Sequence, residues 1–323
     1  MFVTRRASLG IAAAAVPGLM RPAPGLAQSN AIRAVCGSSP GSITDLIARI
    51  MQPGLAQRLA RPVVVDNRPG AGGNIAAAFV AQAPADGNTI MIVSGGIMTL
   101  NPHLYRDMPF NPLQDIKLIT RLTNGGFLLA VPSASGITDV AGLVAHLKRK
   151  GDAANFGSAG IGFVPHLGAE MFLAATGAEA THVPYRGSAG AINALVSGEV
   201  DFLFDSRGPL LPHLQSGAVR VIANGGSLPD IVYPDLPMLS ATLPGVIVQS
   251  WTALAGPAGL PDAMVRRLDA ATRETLEDPE TAARLRNVGN GPAYLGPDGF
   301  IQFYADERQR AARAVEIAKV SPQ

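Results

Sequence analysis

The sequence predicts an α/β protein of two lobes, each a mostly parallel sheet flanked by helices. Short apolar runs alternate with stretches of helical spacing through residues 31–94, and the alternation starts again near residue 127. After Trp251 the chain changes to long, charged amphipathic stretches with little strand between them. Its 323 residues, 47% apolar and only 15% charged, are enough for about two domains with a large core and are unlike a disordered tail. Gly (36) and Pro (26) are spread along the chain, as many tight turns require, and no repeat of fixed period is present.

In chain order, the first feature is a segment for export. Thr4-Arg5-Arg6-Ala7-Ser8-Leu9 leads into an apolar run ending at Met20, then Arg21 and the small-residue stretch Pro24-Gly25-Leu26-Ala27. A basic start, a short apolar middle and a small-residue end describe an export signal over 1–27, and the paired arginines favour the twin-arginine route into the periplasm. The run is too short to span ~30 Å of hydrocarbon. Cleavage is expected after Ala27. It takes Arg5, Arg6 and Arg21 from the 26 basic residues and none of the 24 acidic ones, so the remainder is close to neutral. No basic patch is left to argue for nucleic acid. The single cysteine, Cys36, excludes an intrachain disulfide and reads as a buried structural thiol.

Ala31–Cys36 reads as a strand. Thr44–Leu59 is a helix from the spacing of Leu46, Ile47, Ile50, Met51, Leu55 and Leu59, with Pro53 expected to interrupt and kink it. The continuous β-branched run Val63–Val65 is a buried strand. A Gly/Pro turn over Asn67–Asn74, a helix over Ile75–Ala83 and a strand over Thr89–Ser94 follow. The second set has strands at Phe127–Val131, Asn155–Ser158, His182–Pro184, Val200–Asp205 and Val219–Asn224. Its helices are Val140–Lys150, His166–Ala175 and Ala189–Ser197. Asp262–Glu277 and Asp298–Ala318 are amphipathic helices that cannot bury themselves alone and are expected to pack back on the first domain. The expected domains are therefore 28–126 plus 251–323, and 127–250.

The short motifs carry little chemistry. Gly37-Ser38-Ser39-Pro40-Gly41 matches the G-x-S-x-G elbow of serine hydrolases. The residue after the serine should donate its N–H to the oxyanion, but Pro40 has none, and one missing donor costs ~3–4 kcal/mol of transition-state stabilisation. The order Ser39, Asp205, His213 is formally available, so an exported hydrolase using Ser39 stays open as a competing reading. The five histidines show no metal-ligand spacing, and neither a Walker loop nor a dinucleotide fingerprint is present, so no metal and no cofactor is expected. Gly70-Ala71-Gly72-Gly73 follows a strand without a Lys-Ser/Thr and reads as a turn.

What remains is a set of small, polar strand-to-helix turns: Ser38–Asp45, Ser94–Asn101, Ser158–His166 and Tyr185–Ser188. Ligands of open α/β sheets sit outside the carboxyl ends of the strands, and helix N-termini there suit an anion. The first two turns belong to one domain and the last two to the other, so they predict a cleft between lobes. They also read as ordinary turn and cap residues.

Four stretches carry a family resemblance: VVVDNRPGAGGNIA (63–76), NPHLYRDMPFNPLQD (101–115), HVPYRGSAGAINALVSGEVDFLFD (182–205) and SWTALAGPAGL (250–260). From about Ile32 to Val320 the chain resembles the Bug-type periplasmic solute receptors of tripartite tricarboxylate transporters. That resemblance implies a two-lobed Venus flytrap that is not an enzyme. It holds a small carboxylate between its lobes, largely by main-chain groups and bridging waters, and delivers it to membrane subunits of the transporter. The implied ligand residues of the first turn are Ser38, Ser39, Ser42, Ile43, Thr44 and Asp45, with Ser94 and Thr99 in the same lobe. Ser158, Phe163, Val164 and His166 face them, as do Tyr185, Arg186, Gly187 and Asp205.

The departures from the family pattern shape the expected ligand. Ser42 and Ile43 replace Gly and Ser in the usual P-G-G-S-T-D turn, and Phe163, Val164 and Pro165 replace polar residues. They imply a carboxylate with an apolar, even aromatic, body. Arg207 would offer a second anion a bidentate fork, or else pair with a surface acid. A monomer is the default expectation. A receptor of the same fold that signals to a membrane partner is not separated from a transport receptor by sequence.

Overall fold

A computed structural model describes residues 31–318 other than 162 and 231. The export signal expected over 1–27 lies outside the described residues. The chain begins with β1 (Ile32–Cys36), α1 (Ile43–Leu59), β2 (Val63–Asn67), α2 (Asn74–Ala81), β3 (Thr89–Ser94), α3 (Gly95–Thr99), α4 (Asn101–Leu104) and β4 (Ile116–Gly126). It crosses to a second layer through β5 (Leu128–Pro132), α5 (Val140–Lys150), β6 (Asn155–Ser158), α6 (Val164–Thr176), β7 (Thr181–Pro184), α7 (Ser188–Ser197), β8 (Phe202–Asp205), α8 (Arg207–Gln215), β9 (Val219–Asn224) and α9 (Leu239–Thr242). It returns on β10 (Gln249–Pro257) and ends with α10 (Asp262–Glu277), α11 (Pro279–Asn287), β11 (Gly291–Leu295) and α12 (Pro297–Ala318).

Two sheets with flanking helices result, which is the expected two-lobed α/β architecture. The first has the order β11-β4-β10-β3-β1-β2 and the second β7-β6-β8-β5-β9. Both are mixed rather than mostly parallel. The strand–helix–strand units set β1 parallel to β2 and β3, and β6 parallel to β7 and β8. The strands nearest the crossings run the other way: β10 is antiparallel to β3 and β4, and β5 to β8 and β9. A strand that enters or leaves a lobe at the crossing has no crossover helix to turn it parallel. The two crossings lie side by side, with the Phe127 N–H donating to the Val248 carbonyl at 2.9 Å and the Val248 N–H to the Gly225 carbonyl at 2.7 Å.

Apolar patterning explains most of the elements. The β1 residues Ile32, Ala34, Val35 and Cys36 are buried, and burial pushes the Cys36 thiol far up, out of the reactive range. Helix α1 buries Ile47, Ile50, Met51, Leu55 and Leu59 on one face and continues through Pro53. Proline removes a single N–H bond there, and the buried face on either side holds the helix together. The tail differs from expectation. Helices α10 and α11 pack on α1. In α12, Phe300 joins the core around Trp251, whereas Ala311 and Val315 join the core of the second sheet beside Leu167 and Met171. The last helix therefore bridges both lobes.

Candidate ligand-binding cleft

A cleft of about 770 Å³ opens between the two lobes. Its walls are the turns after β1, β2, β3, β6, β7 and β8, together with Gly126, Phe127 and Ser250 from the crossings. All six turns lie at carboxyl ends of strands, where open α/β sheets hold ligands. Half of the wall side chains are apolar or aromatic, among them Ile43, Phe127, Ile161, Phe163, Val164 and Tyr185, and they supply most of the exposed surface. Among the described lining residues only Arg186 and Asp205 carry charge.

The turn after β1 is built to leave donors free. Ser42 is the N-cap of α1 but makes no side-chain cap bond. The N–H groups of Ile43, Thr44 and Asp45 have no acceptor within the helix, and the helix dipole places positive potential there. The Ser38 hydroxyl beside them is buried without a hydrogen-bond partner among the described residues. Asp45 holds the turn from behind. Its carboxylate accepts from the Gly41 N–H (2.8 Å), Arg49 Nε (3.0 Å) and Asn67 Nδ2 (3.0 Å). Burial raises its pKa, but the bonds from Arg49, Gly41 and Asn67 outweigh that and keep it below the usual value. Asp45 is thus a buttress and does not line the cavity.

Among the described residues, two hydrogen bonds join the lobes at the cavity wall. Ser39 Oγ donates to the Arg186 carbonyl at 3.2 Å, and Tyr105 Oη donates to the Ile161 carbonyl at 2.9 Å. The half-buried Ser39 hydroxyl is therefore a cross-lobe donor rather than a serine held by a base. Ser39→Ala removes one such bond, worth about 0.5–1.5 kcal/mol. Calorimetry should show carboxylate binding weakened by no more than about tenfold. A nucleophile would instead be unmasked by an ester hydrolysis activity that the variant lacks.

Ser38, Ser39, Ser42, Ile43, Thr44 and Ser94 line the cavity from the first lobe. Phe163, Val164, Tyr185, Arg186, Gly187 and Asp205 line it from the second. Ser158 and His166 stand behind that wall. The His166 ring stacks on His182 with centroids 4.0 Å apart, and His182 stacks on Phe156. Ser158 Oγ lies 2.7 Å from His182 Nε2 and also bonds the Gly160 backbone, so this stack props the turn that carries Ile161 and Phe163. Burial lowers His166 to about 4; burial and the neighbouring His166 lower His182 to about 3. Both rings are neutral supports at neutral pH. The Thr99 hydroxyl donates to the Gly95 carbonyl and fronts a neighbouring cavity of about 630 Å³.

Arg207 points away from the cleft. Nη1 donates to Asp230 at 2.8 Å, Nε to the Asn287 carbonyl at 3.1 Å, and Nη2 to the Arg286 carbonyl. Its fork caps the negative end of α11 and ties α8 to it. Other wall residues had no assigned role in the sequence. Gly72 packs where a Cβ would meet Tyr105 Oη at 2.8 Å and the Ile161 carbonyl at 3.2 Å. Tyr105, Phe127, Ile161, Ser250, Thr252 and Asn290 also line the cavity. The NPHLY stretch and the crossing at Ser250 were visible as segments, but nothing in them showed which side chains face inward.

Residues 47–319 match the model of the tripartite tricarboxylate transporter family receptor. The chain belongs to that family. This receptor is 33% identical over 302 residues to a UPF0065 protein of Bordetella pertussis, covering 91% of each chain. The structure of Rpa4515 of R. palustris with adipate superposes with a TM-score of 0.88 at 29% identity, covering 92% of the receptor and 100% of that chain. MatC of Rhodopseudomonas palustris with bound malate gives 0.81 at 29% identity, covering 88% and 99%. The expected family and its two-lobed fold are therefore correct. No helix among the described residues is long and apolar enough to cross a membrane.

Proposed function

We propose that the chain is a periplasmic receptor, exported by its twin-arginine signal, that captures a small carboxylate with an apolar body and delivers it to membrane subunits of a transporter. The observation that carries this reading is the uncapped N-terminus of α1, which faces an otherwise mostly apolar cavity beside the unpartnered Ser38 hydroxyl. The Ile43 and Thr44 N–H groups and the Ser38 and Ser42 hydroxyls grip the carboxylate, and Phe163, Val164 and Tyr185 cover the body. Relatives of the same family hold adipate and malate, both carboxylates. A cavity of about 770 Å³ has room for such an acid together with bridging water. The protein acts as a monomer and does no chemistry on its ligand. Its lobes divide at 28–126 plus 251–323 and at 127–250.

Capture works by closure. A ligand that touches both lobes stabilises only the closed form, and shifting 1:99 to 99:1 takes ~5.5 kcal/mol of differential binding. Micromolar affinity supplies ~8 kcal/mol in total, so contacts from one lobe alone bind without closing. The test is a thermal-shift screen, followed by calorimetry, with aromatic and aliphatic mono- and dicarboxylates. An acid with an apolar body should stabilise the fold by ~2.7 kcal/mol at a hundred times its dissociation constant. Tight binding of short, fully polar acids alone contradicts the reading, as does consumption of the ligand.

A further inference from the structure

Asn290 lies in the turn between α11 and β11, lines the cleft and is only 5% exposed. Its flanking glycines, Gly289 and Gly291, line a neighbouring cavity of about 320 Å³ instead, so of the three only Asn290 faces the cleft. The side chain lies flat on β4: a Cβ on Gly125 would come within 2.5 Å of Asn290 Oδ1 and 2.6 Å of its Cγ. Glycine is what leaves the amide that room. The turn is held firmly. Gly289 reverses the chain with φ 83°, the Asn290 N–H donates to the Leu285 carbonyl at 3.1 Å, and Gly291 pairs with Asn124 of β4. Helix α8 clamps it from the other side: Arg207 donates to the Arg286 and Asn287 carbonyls, and the Gly208 N–H to the Val288 carbonyl at 3.1 Å. The hydroxyls near it in the wall are occupied. Thr252 Oγ1 lies 2.7 Å from Thr123 Oγ1, and Ser250 Oγ donates to the Trp251 carbonyl at 3.2 Å. The Asn290 amide has no hydrogen-bond partner among the described residues. A buried amide left unpaired is costly, and its open side is the cleft.

We propose that Asn290 is a specificity residue whose amide hydrogen-bonds a neutral polar group on the body of the ligand, a hydroxyl or a primary amide. The Asn290 side chain offers one acceptor, Oδ1, and one donor group, Nδ2. A hydroxyl or a primary amide answers both. A carboxylate answers the donor alone and leaves Oδ1 bare, and an unsubstituted chain leaves both bare. The preferred ligand is then a carboxylate whose apolar body carries one hydroxyl or amide, not a plain aliphatic acid. Because the turn is fixed and Gly125 holds the amide flat, little freedom is lost when the ligand meets it. The inference deepens the carboxylate-receptor reading above and rests on it.

The test is calorimetry with hexanoate and with three hexanoates that carry a single hydroxyl, at the second, fourth or sixth carbon, on the wild type and on Asn290→Leu. Leucine keeps the shape of the side chain and removes both polar atoms. At least one hydroxy acid should bind the wild type about tenfold or more tighter than hexanoate and lose that advantage in the variant. Hexanoate should bind the variant no more weakly than it binds the wild type. The wild-type comparison of the four acids stands without the variant. Hexanoate binding as tightly as all three hydroxy acids overturns the role of Asn290 and leaves the carboxylate reading intact. An equal loss for all four acids in the variant also overturns it, because the amide would then serve the shared carboxylate. Failure of all four to bind the wild type overturns it together with the carboxylate reading.

Discussion

Gly187→Val should abolish tight carboxylate binding while the protein still folds. Gly187 precedes α7 with φ 103° and ψ 170°, a conformation that L residues rarely adopt. A Cβ there would lie 2.8 Å from both Cβ and Oγ of Ser39, which belongs to the other lobe. Valine adds two further carbons to that contact, so the closed form becomes a steric clash and the variant stays open. Contacts from a single lobe remain. Losing roughly half of a micromolar binding energy takes the affinity to about millimolar, a thousandfold change that calorimetry reads directly. Part of the effect of any side chain at this position is backbone strain of about 1–3 kcal/mol. Gly136→Val provides the comparison, because Gly136 also has positive φ (71°) but open space around its Cβ position. That variant should lose stability and keep its affinity. Equal affinity for Gly187→Val and the wild type would show that closure is not needed for capture.

Asp45→Ala should destabilise the fold by about 3 kcal/mol and weaken ligand binding as well. Asp45 is 1% exposed and satisfies the Gly41 N–H, the Asn67 amide and the Arg49 guanidinium together. Removing it leaves the Gly41 and Asn67 donors unpaired beside the cavity. Arg49 is half exposed and regains water, so it adds little to the loss. The sign of the pH dependence follows from the depressed folded pKa. The contribution of Asp45 is complete above its ordinary value of 3.8 and drains away as pH falls through the lower folded value. Denaturant unfolding should show the full gap between wild type and variant at neutral pH and a narrowing gap in acid. A gap that stays constant into acid would mean that the carboxylate charge is not what holds the turn.

The parts of the fold legible in the sequence were those where one apolar pattern decides one element. The strands β1, β2, β3, β5, β6 and β9 fall where β-branched or apolar runs were read, within a residue or two at each end. Strand β4 was missed because Ile116–Gly126 is covered unevenly on both faces and shows neither a clean alternation nor a continuous run. Helix α8 was missed because Pro209 and Pro212 break the spacing in Arg207–Gln215. Strand β11 holds Gly291 and Pro292, which mask a strand pattern and are tolerated on the edge beside β4. The candidate site was legible at the level of turns, since a small polar turn after a strand announces itself locally. The facing of individual side chains was not. Asp45, Ser158, His166 and Arg207 look like ligands in sequence, but each is claimed by a partner distant in the chain: Asn67, His182 for both Ser158 and His166, and Asp230. Those partners become visible only once the chain is folded.

The most direct test of capture by closure is a crystal structure of the receptor with the tightest-binding acid from these screens. The account predicts an intact acid in the cleft, its carboxylate on the Ile43 and Thr44 N–H groups and the Ser38 hydroxyl, with Ser39 in contact with the Arg186 carbonyl across the lobes. An acyl group bonded to Ser39 Oγ, or an acid seated outside the cleft, would contradict it.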